Sequence, residues 1–150
     1  MVQLLSQYTF HIVIAAAIAA ILYALYLVTQ IVKQPRGTDA MIAIADAIHE
    51  GAVAYLRRQY SVVAGIAVVL FAIITWLLGM HVAAGFLVGA VTSAIAGIVG
   101  MYVSVNANVR VAESANKGLS AAFKLSFQGG AVTGLLVAGL ALLATVTTFL

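Results

Sequence analysis

Long apolar stretches separated by short polar connections dominate the pattern of this chain. Four of these stretches contain no Asp, Glu, Lys or Arg: residues 8–32, 61–79, 82–105 and 129–150. Each is close to the ~20 residues that an α-helix needs to cross the bilayer core. Runs of this length without alternating polar positions do not fit the strands of a membrane barrel. The pattern therefore predicts an all-α polytopic membrane protein in which residues 1–150 form one unit with four transmembrane helices.

Composition supports a lipid environment. Hydrophobic residues make up 65% of the chain, charged residues 7%, and the mean hydropathy is +1.17, whereas about a quarter of the residues in a soluble domain are charged. We expect an integral, multi-pass membrane protein whose first partner is the lipid bilayer. The net charge of +3 is spread over the connections, so nucleic acid is not an expected partner. Because the chain has no Cys, disulfides and thiol chemistry are excluded.

Basic residues predict the orientation. They occur only in the first and third connections, namely at Lys33, Arg36, Arg57, Arg58, Arg110, Lys117 and Lys124, while residues 79–81 contain none. Cytoplasmic loops are enriched in Lys and Arg, so we expect both termini to lie outside the cytoplasm (N-out, C-out). Five of these residues are predicted to anchor the helices at the cytoplasmic interface: Arg57, Arg58, Arg110, Lys117 and Lys124.

The first connection has the pattern of an amphipathic helix. Apolar residues on one helical face include Met41 and Ile48, and charged residues on the other include Asp46 and Glu50. Thr38 or Asp39 is suited to cap its start. We therefore predict one long second helix, with a cytoplasmic amphipathic extension before its membrane span. In the third connection, residues 117–118 are typical of a helix end, after which Ser120 could cap the next helix.

Small residues recur at the spacing of one helical face. The third stretch carries Gly85, Gly89, Ser93, Gly97 and Gly100, and the fourth carries Gly130, Gly134 and Ala138. Small residues let helix backbones approach closely in lipid, where little hydrophobic force acts between helices. These eight positions are predicted to pack helices together. Packing within the chain and packing between two chains explain the spacing equally well.

Three polar groups have both a functional and a structural interpretation. Asp46, His49 and Glu50 share a helical face that could bind a divalent cation, but the solvated face of an amphipathic helix explains them better. Residues 106–117 could recognise an anionic substrate at the membrane edge; we favour a helix end at the headgroups, with Glu113 pairing with Arg110 and Lys117. Two histidines near the outer face could relay protons, although polar groups within reach of water are the simpler reading: His11 and His81.

The marks of an active site are missing from the sequence. No span contains a carboxylate, the usual sign of an ion pathway. We also find no phosphate-binding Gly-Lys-Thr loop, no acidic cluster suited to Mg²⁺ and no nucleophile paired with a base. The sequence thus predicts no catalytic, cofactor-binding or metal-binding residue, and we expect the chain alone to be inactive.

Several motifs resemble one known family. Residues 43–60 (AIADAIHEGAVAYLRRQY) resemble the entry to the second helix of membrane-bound, ion-pumping pyrophosphatases. Residues 89–101 (GAVTSAIAGIVGM), followed by 106–110 (NANVR), are similar to that family's third helix and its cytoplasmic end. Residues 121–135 are similar to the start of the fourth. The resemblance covers residues 37–140, in the family's order and with plausible spacing.

The resemblance implies that the chain is an N-terminal fragment of a much longer pump. In that family the first four helices belong to an outer ring, and pyrophosphate hydrolysis on the cytoplasmic side drives H⁺ or Na⁺ outward. It also implies Mg²⁺, and K⁺ in some members, as cofactors of the parent, a homodimer, and a bacterial, archaeal or organellar membrane. The family's catalytic and ion-gate residues follow the fourth helix, so none is carried over to this chain.

An independent small four-helix transporter, or a non-enzymatic assembly module, is the alternative. Small multidrug exporters have a similar size and the same number of spans. They depend on a Glu in the first span, however, and residues 8–32 contain none.

Overall fold

The computed structural model describes the backbone of residues 2–149 and the side chains of residues 8–148. Four helices make up this part of the chain: α1 (Val2–Val32), α2 (Asp39–Leu78), α3 (Met80–Ala115) and α4 (Leu119–Phe149). All four are long and apolar enough to cross a membrane, and the described residues contain no strand. The predicted all-α fold with four membrane-spanning helices is confirmed.

The second helix is continuous, as its pattern predicts. It runs for 40 residues, or about 60 Å at 1.5 Å per residue, and so joins the amphipathic part of the first connection to the second apolar stretch. Thr38 is its N-cap, because the Thr38 hydroxyl accepts a hydrogen bond of 3.4 Å from the Met41 amide.

The connection between α2 and α3 and the one between α3 and α4 each contain a glycine with positive φ. Gly79 alone separates α2 from α3 at φ +88°, a conformation that side chains with a Cβ rarely adopt. Its amide donates to the Thr75 carbonyl at 3.1 Å, which closes the end of α2. Gly118, at φ +118°, precedes α4. Because α4 begins at Leu119, Ser120 lies inside its first turn and the expected Ser120 cap is wrong.

The helices form an open row in the order α2, α3, α4, α1. The short connections make consecutive helices antiparallel; α3 packs on α2 and α4, and α4 packs on α1. Helices α1 and α3 touch only slightly, and among the described residues α2 packs along neither α1 nor α4. The membrane-spanning part of α2 contains no buried residue. The row therefore leaves one terminal helix with a single helical neighbour.

The core lies between α1, α3 and α4, near the ends of these helices that carry the first and third connections. Its buried members are Ala24, Leu27, Ile31, Val103, Ala107, Leu125, Val132 and Leu136. Ile31 and Val132 are the largest fully buried side chains. Such interlocking stabilises the helices through many small dispersion contacts.

Three of the small residues named from the sequence lie at contacts within the chain. Gly97 faces the Tyr60 hydroxyl of α2. Toward α4, a Cβ on Gly100 would lie 2.9 Å from the Thr133 Cγ2, and one on Gly85 would lie 3.4 Å from Thr148 Cγ2. The structure thus brings α3 close to both of its neighbours through glycines.

The remaining small residues lie elsewhere. A Cβ on Gly89, Gly130 or Gly134 would meet no atom within 4 Å, and Ser93 and Ala138 are exposed. Instead, α4 meets its neighbours at two glycines that the sequence analysis did not single out. A Cβ on Gly129 would lie 3.3 Å from Ala107 Cβ, and one on Gly139 would lie 3.0 Å from the Ala17 carbonyl oxygen.

Two alanine substitutions in α4 should have opposite effects. We expect Gly139→Ala to lower the free energy of unfolding by about 1–3 kcal/mol, because the new methyl meets the α1 backbone, which cannot move aside locally. Gly134 lies in the same helix, but a Cβ there meets no atom within 4 Å. Gly134→Ala should therefore raise the free energy of unfolding by about 0.5–1 kcal/mol, because alanine lowers the entropy of the unfolded chain. Detergent-unfolding titrations followed by circular dichroism measure both. Equal effects of the two substitutions would contradict the described α1–α4 contact.

Candidate functional site

Polar side chains gather where the end of α1, the start of α2 and the last turns of α3 meet. We call this group the polar junction and define it as Arg36, Asp46, Asn106, Arg110 and Glu113. Because consecutive helices are antiparallel, all of these residues lie at the same edge of the row. The one ion pair among the described residues, Arg36 with Asp46, lies in this group.

Arg110 is the buried centre of the polar junction, with a relative exposure of 7%. Its Nε donates to the Gln34 carbonyl at 3.1 Å, and its Nη2 donates to the Val32 carbonyl at 3.4 Å. Its Nη1 donates to the Asn106 carbonyl, one turn earlier in α3, at 2.6 Å. Val32 is the last residue of α1, so the bonds to Val32 and Gln34 satisfy carbonyls that have no partner within α1. The positive charge of Arg110 is also stabilised by the negative C-terminal end of the α1 dipole.

Arg36 and Asp46 connect the turn after α1 to the second turn of α2. The Arg36 Nη2 donates to Asp46 Oδ1, and the two side chains are 37% and 61% exposed. An ion pair this accessible to solvent contributes at most about 1 kcal/mol. The Arg36 Nε, by contrast, is shielded from water and has no hydrogen-bond partner among the described residues.

Gly37 lets the turn between α1 and α2 pack against the end of α3. Its φ is +83°, and a Cβ there would lie 2.7 Å from Met41 Sδ and 2.8 Å from Glu113 Oε2. Glu113 Oε2 also accepts a hydrogen bond of 3.1 Å from Asn116 Nδ2. The expected pairs of Glu113 with Arg110 and Lys117 are therefore replaced, since Glu113 bonds to Asn116 and Arg110 bonds to backbone carbonyls.

The histidines and acidic residues do not converge on a metal site. His49 packs edge to face on Tyr102, with ring centroids 5.4 Å apart and an interplanar angle of 78°. Asp46 is held by Arg36. Within the part of the chain that the structure describes, no group of three or more His, Asp or Glu side chains could hold a metal ion. The side chains of His11 and His81 are exposed.

The five basic residues expected at the interface divide into two kinds. Arg57, Arg58, Lys117 and Lys124 have exposed side chains, and only Arg110 is buried. Sequence reasoning named Arg110 among five anchors but missed its partners. All three partners are backbone carbonyls, two of them 76 and 78 residues away along the chain, and a backbone acceptor leaves no signature in a sequence.

Replacing Arg110 should weaken the fold more than replacing any exposed arginine. We expect Arg110→Met to lower the free energy of unfolding by about 2–4 kcal/mol, because it removes charge-assisted bonds to carbonyls that have no other partner. Arg110→Lys should recover part of the loss, since an ammonium lacks the planar fork that reaches several carbonyls. The matched control, Arg58→Met, should change it by about 0.5 kcal/mol or less. Similar losses at Arg110 and Arg58 in a detergent titration would refute this role.

Comparisons with known proteins place the chain in a family. The family model described as inorganic H⁺ pyrophosphatase matches residues 18–150. The K⁺-insensitive pyrophosphate-energized proton pump of Methanosarcina mazei is 45% identical over 137 residues, which cover 90% of this chain and 20% of that protein.

Two further relatives show the same relation. The K⁺-insensitive pyrophosphate-energized proton pump 2 of Moorella thermoacetica is 45% identical over 93% of this chain and 21% of its own length. The K⁺-stimulated pyrophosphate-energized sodium pump of Thermotoga maritima is 43% identical over 80% of this chain and 17% of its own length. This chain therefore spans about a fifth of the relatives' length. It belongs to the family of inorganic H⁺ pyrophosphatases.

Proposed function

We propose that this chain forms the N-terminal, outer-ring part of a membrane pyrophosphatase that couples cytoplasmic pyrophosphate hydrolysis to export of H⁺ or Na⁺. The observation that carries the proposal is the match, over 80–93% of the chain, to pyrophosphate-energized proton and sodium pumps about five times as long. In this proposal the four helices act as a scaffold, and the remaining helices of the pump supply the catalytic residues and the ion path.

The use of the polar groups supports a scaffold role. Arg110 bonds to the end of α1, and Glu113 bonds to Asn116. These side chains hold helices together. Catalysis of pyrophosphate hydrolysis needs groups that stabilise the charge developing on the phosphoryl oxygens, and metal ions commonly supply much of that stabilisation. We assign Mg²⁺ binding to the rest of the pump, together with any response to K⁺, which differs among the relatives by name.

The exposed apolar surface of the open row supports the proposal that lipid and further helices cover it. Helix α2 exposes large side chains along its length, among them Val68, Leu77 and Trp76, whose relative exposures are 69%, 64% and 85%. Contiguous apolar surface of this kind is stable against lipid or against further helices. We propose that lipid and the remaining helices of the pump cover it, and that the complete pump is a homodimer.

The placement of basic residues supports an N-out, C-out orientation with the polar junction on the cytoplasmic side. Since Tyr60 touches Gly97, Arg57 and Arg58 lie level with residues 97–101 of the antiparallel α3. Tyrosines and basic residues favour the headgroup region, so we place the cytoplasmic boundary of the bilayer at this level. Beyond it, the last turns of α3 then extend about 20 Å and the first half of α2 about 30 Å, and the polar junction lies outside the hydrocarbon.

A split-pump experiment tests the proposal. This chain is co-expressed with the remaining four-fifths of the Methanosarcina mazei relative, and inverted membrane vesicles are prepared. We expect pyrophosphate hydrolysis that depends on Mg²⁺, and acidification of the vesicle interior when pyrophosphate is added outside. Neither this chain alone nor the remainder alone should hydrolyse pyrophosphate.

The control is the relative's own matching segment, co-expressed with the same remainder. If that pair restores hydrolysis and this chain does not, the scaffold proposal fails, and an independent four-helix membrane module becomes the better interpretation. Hydrolysis by this chain alone would also overturn the proposal, because it would place the active site within residues 1–150.

A further inference from the structure

A pocket at the polar junction has the size and the lining that an oxyanion site requires. Its volume is about 220 Å³, and its lining includes Arg36 and Asp46 from one side and Tyr102, Asn106 and Arg110 from α3. A water molecule takes up about 30 Å³. The pocket therefore has room for a tetrahedral oxyanion together with several waters.

The charges that face the pocket favour an anion. Two guanidinium groups, Arg36 and Arg110, lie close enough to repel each other, and one carboxylate, Asp46, offsets them only in part. Two positive charges and one negative charge leave a net charge of +1 when His49, which also lines the pocket, is neutral. Glu50 lies one turn after Asp46 on α2 and Glu113 one turn after Arg110 on α3, and neither of them lines the pocket. A bound anion would offset this excess positive charge.

Two arginines that line the pocket keep N–H donors without acceptors. The Arg36 Nε is shielded from water and has no partner among the described residues. The hydrogen bonds of Arg110 use three of its five N–H groups. A shielded donor without an acceptor is unfavourable, and the guanidinium fork is well matched to the oxygens of a phosphate.

The geometry points to a phosphate-binding site between the start of α2 and the last turns of α3, formed by Arg36 and the free donors of Arg110. Its ligand is either free inorganic phosphate or the phosphate of an anionic lipid headgroup. Arg36 supplies the recognition, and Asp46 holds Arg36 in place. The site does not depend on the proposed pump activity, since it consists of residues within this chain.

Equilibrium dialysis with radiolabelled inorganic phosphate tests the site. The chain is held in a phosphorus-free maltoside detergent, and chloride keeps the ionic strength constant. We expect saturable binding of one phosphate per chain. Arg36→Gln should weaken binding by about tenfold or more, the loss expected for one charge-assisted contact. The matched control is Lys117→Gln, which makes the same change in charge at an exposed position outside the pocket and should bind within about twofold of the native chain.

A conservative variant guards against loss of folding. Circular dichroism reports whether Arg36→Gln retains its helices. Arg36→Lys keeps the positive charge but loses the planar fork, so we expect binding about fivefold weaker than native. Native affinity in Arg36→Lys would overturn the site. Equal loss in Arg36→Gln and Lys117→Gln, or no saturable binding to the native chain, would also overturn it, the latter leaving a pocket that holds water only.

Competition separates the two sources of phosphate. Mixed micelles containing phosphatidylglycerol should displace the label if the natural ligand is a lipid headgroup, and micelles containing phosphatidylcholine serve as the comparison. Displacement by phosphatidylglycerol but not by phosphatidylcholine supports a headgroup ligand. Retention of the label in both micelles supports free phosphate.

Discussion

The arrangement of the helices depends on one buried guanidinium. Arg110 projects from α3 and binds the carbonyls of Val32 and Gln34 at the end of α1, although α1 and α3 otherwise touch only slightly. Packing on α4 supplies most of the contact between α1 and the row, and these bonds add a polar link from α1 to α3. The bonds also satisfy carbonyls that a helix end leaves without partners. One side chain thus closes the end of α1 and fixes its distance from α3.

The open row explains how a small unit can serve within a larger assembly. Glycines bring α3 close to α2 at Gly97 and close to α4 at Gly100, while α2 keeps most of its surface free. Association of helices in lipid is driven by close packing and polar contacts rather than by release of water. A row whose terminal helix has a single helical neighbour is therefore suited to adding further helices along its side, in keeping with a chain that spans about a fifth of its relatives.

Most of the fold could be predicted from the sequence, because apolar length and helix-end residues are local signals. The four helices, the continuous second helix and the Thr38 cap all follow from such signals. The contacts between helices could not be predicted as well. In lipid both faces of α4 are apolar, so the spacing of Gly130, Gly134 and Ala138 did not reveal that α4 meets its neighbours at Gly129 and Gly139. The partners of Arg110 are backbone atoms, which no residue pattern encodes.

The most direct test of this account is the exchange of the Arg110 Nε proton with water, measured by NMR on the chain labelled with ¹⁵N-arginine in detergent micelles. The signal is assigned by its disappearance in Arg110→Lys. The account predicts exchange at least about a hundredfold slower than at Arg57 and Arg58, since a buried hydrogen bond must open before its proton exchanges. Exchange of Arg110 as fast as that of the two exposed arginines would contradict the buried cap and, with it, the described attachment of α1 to α3.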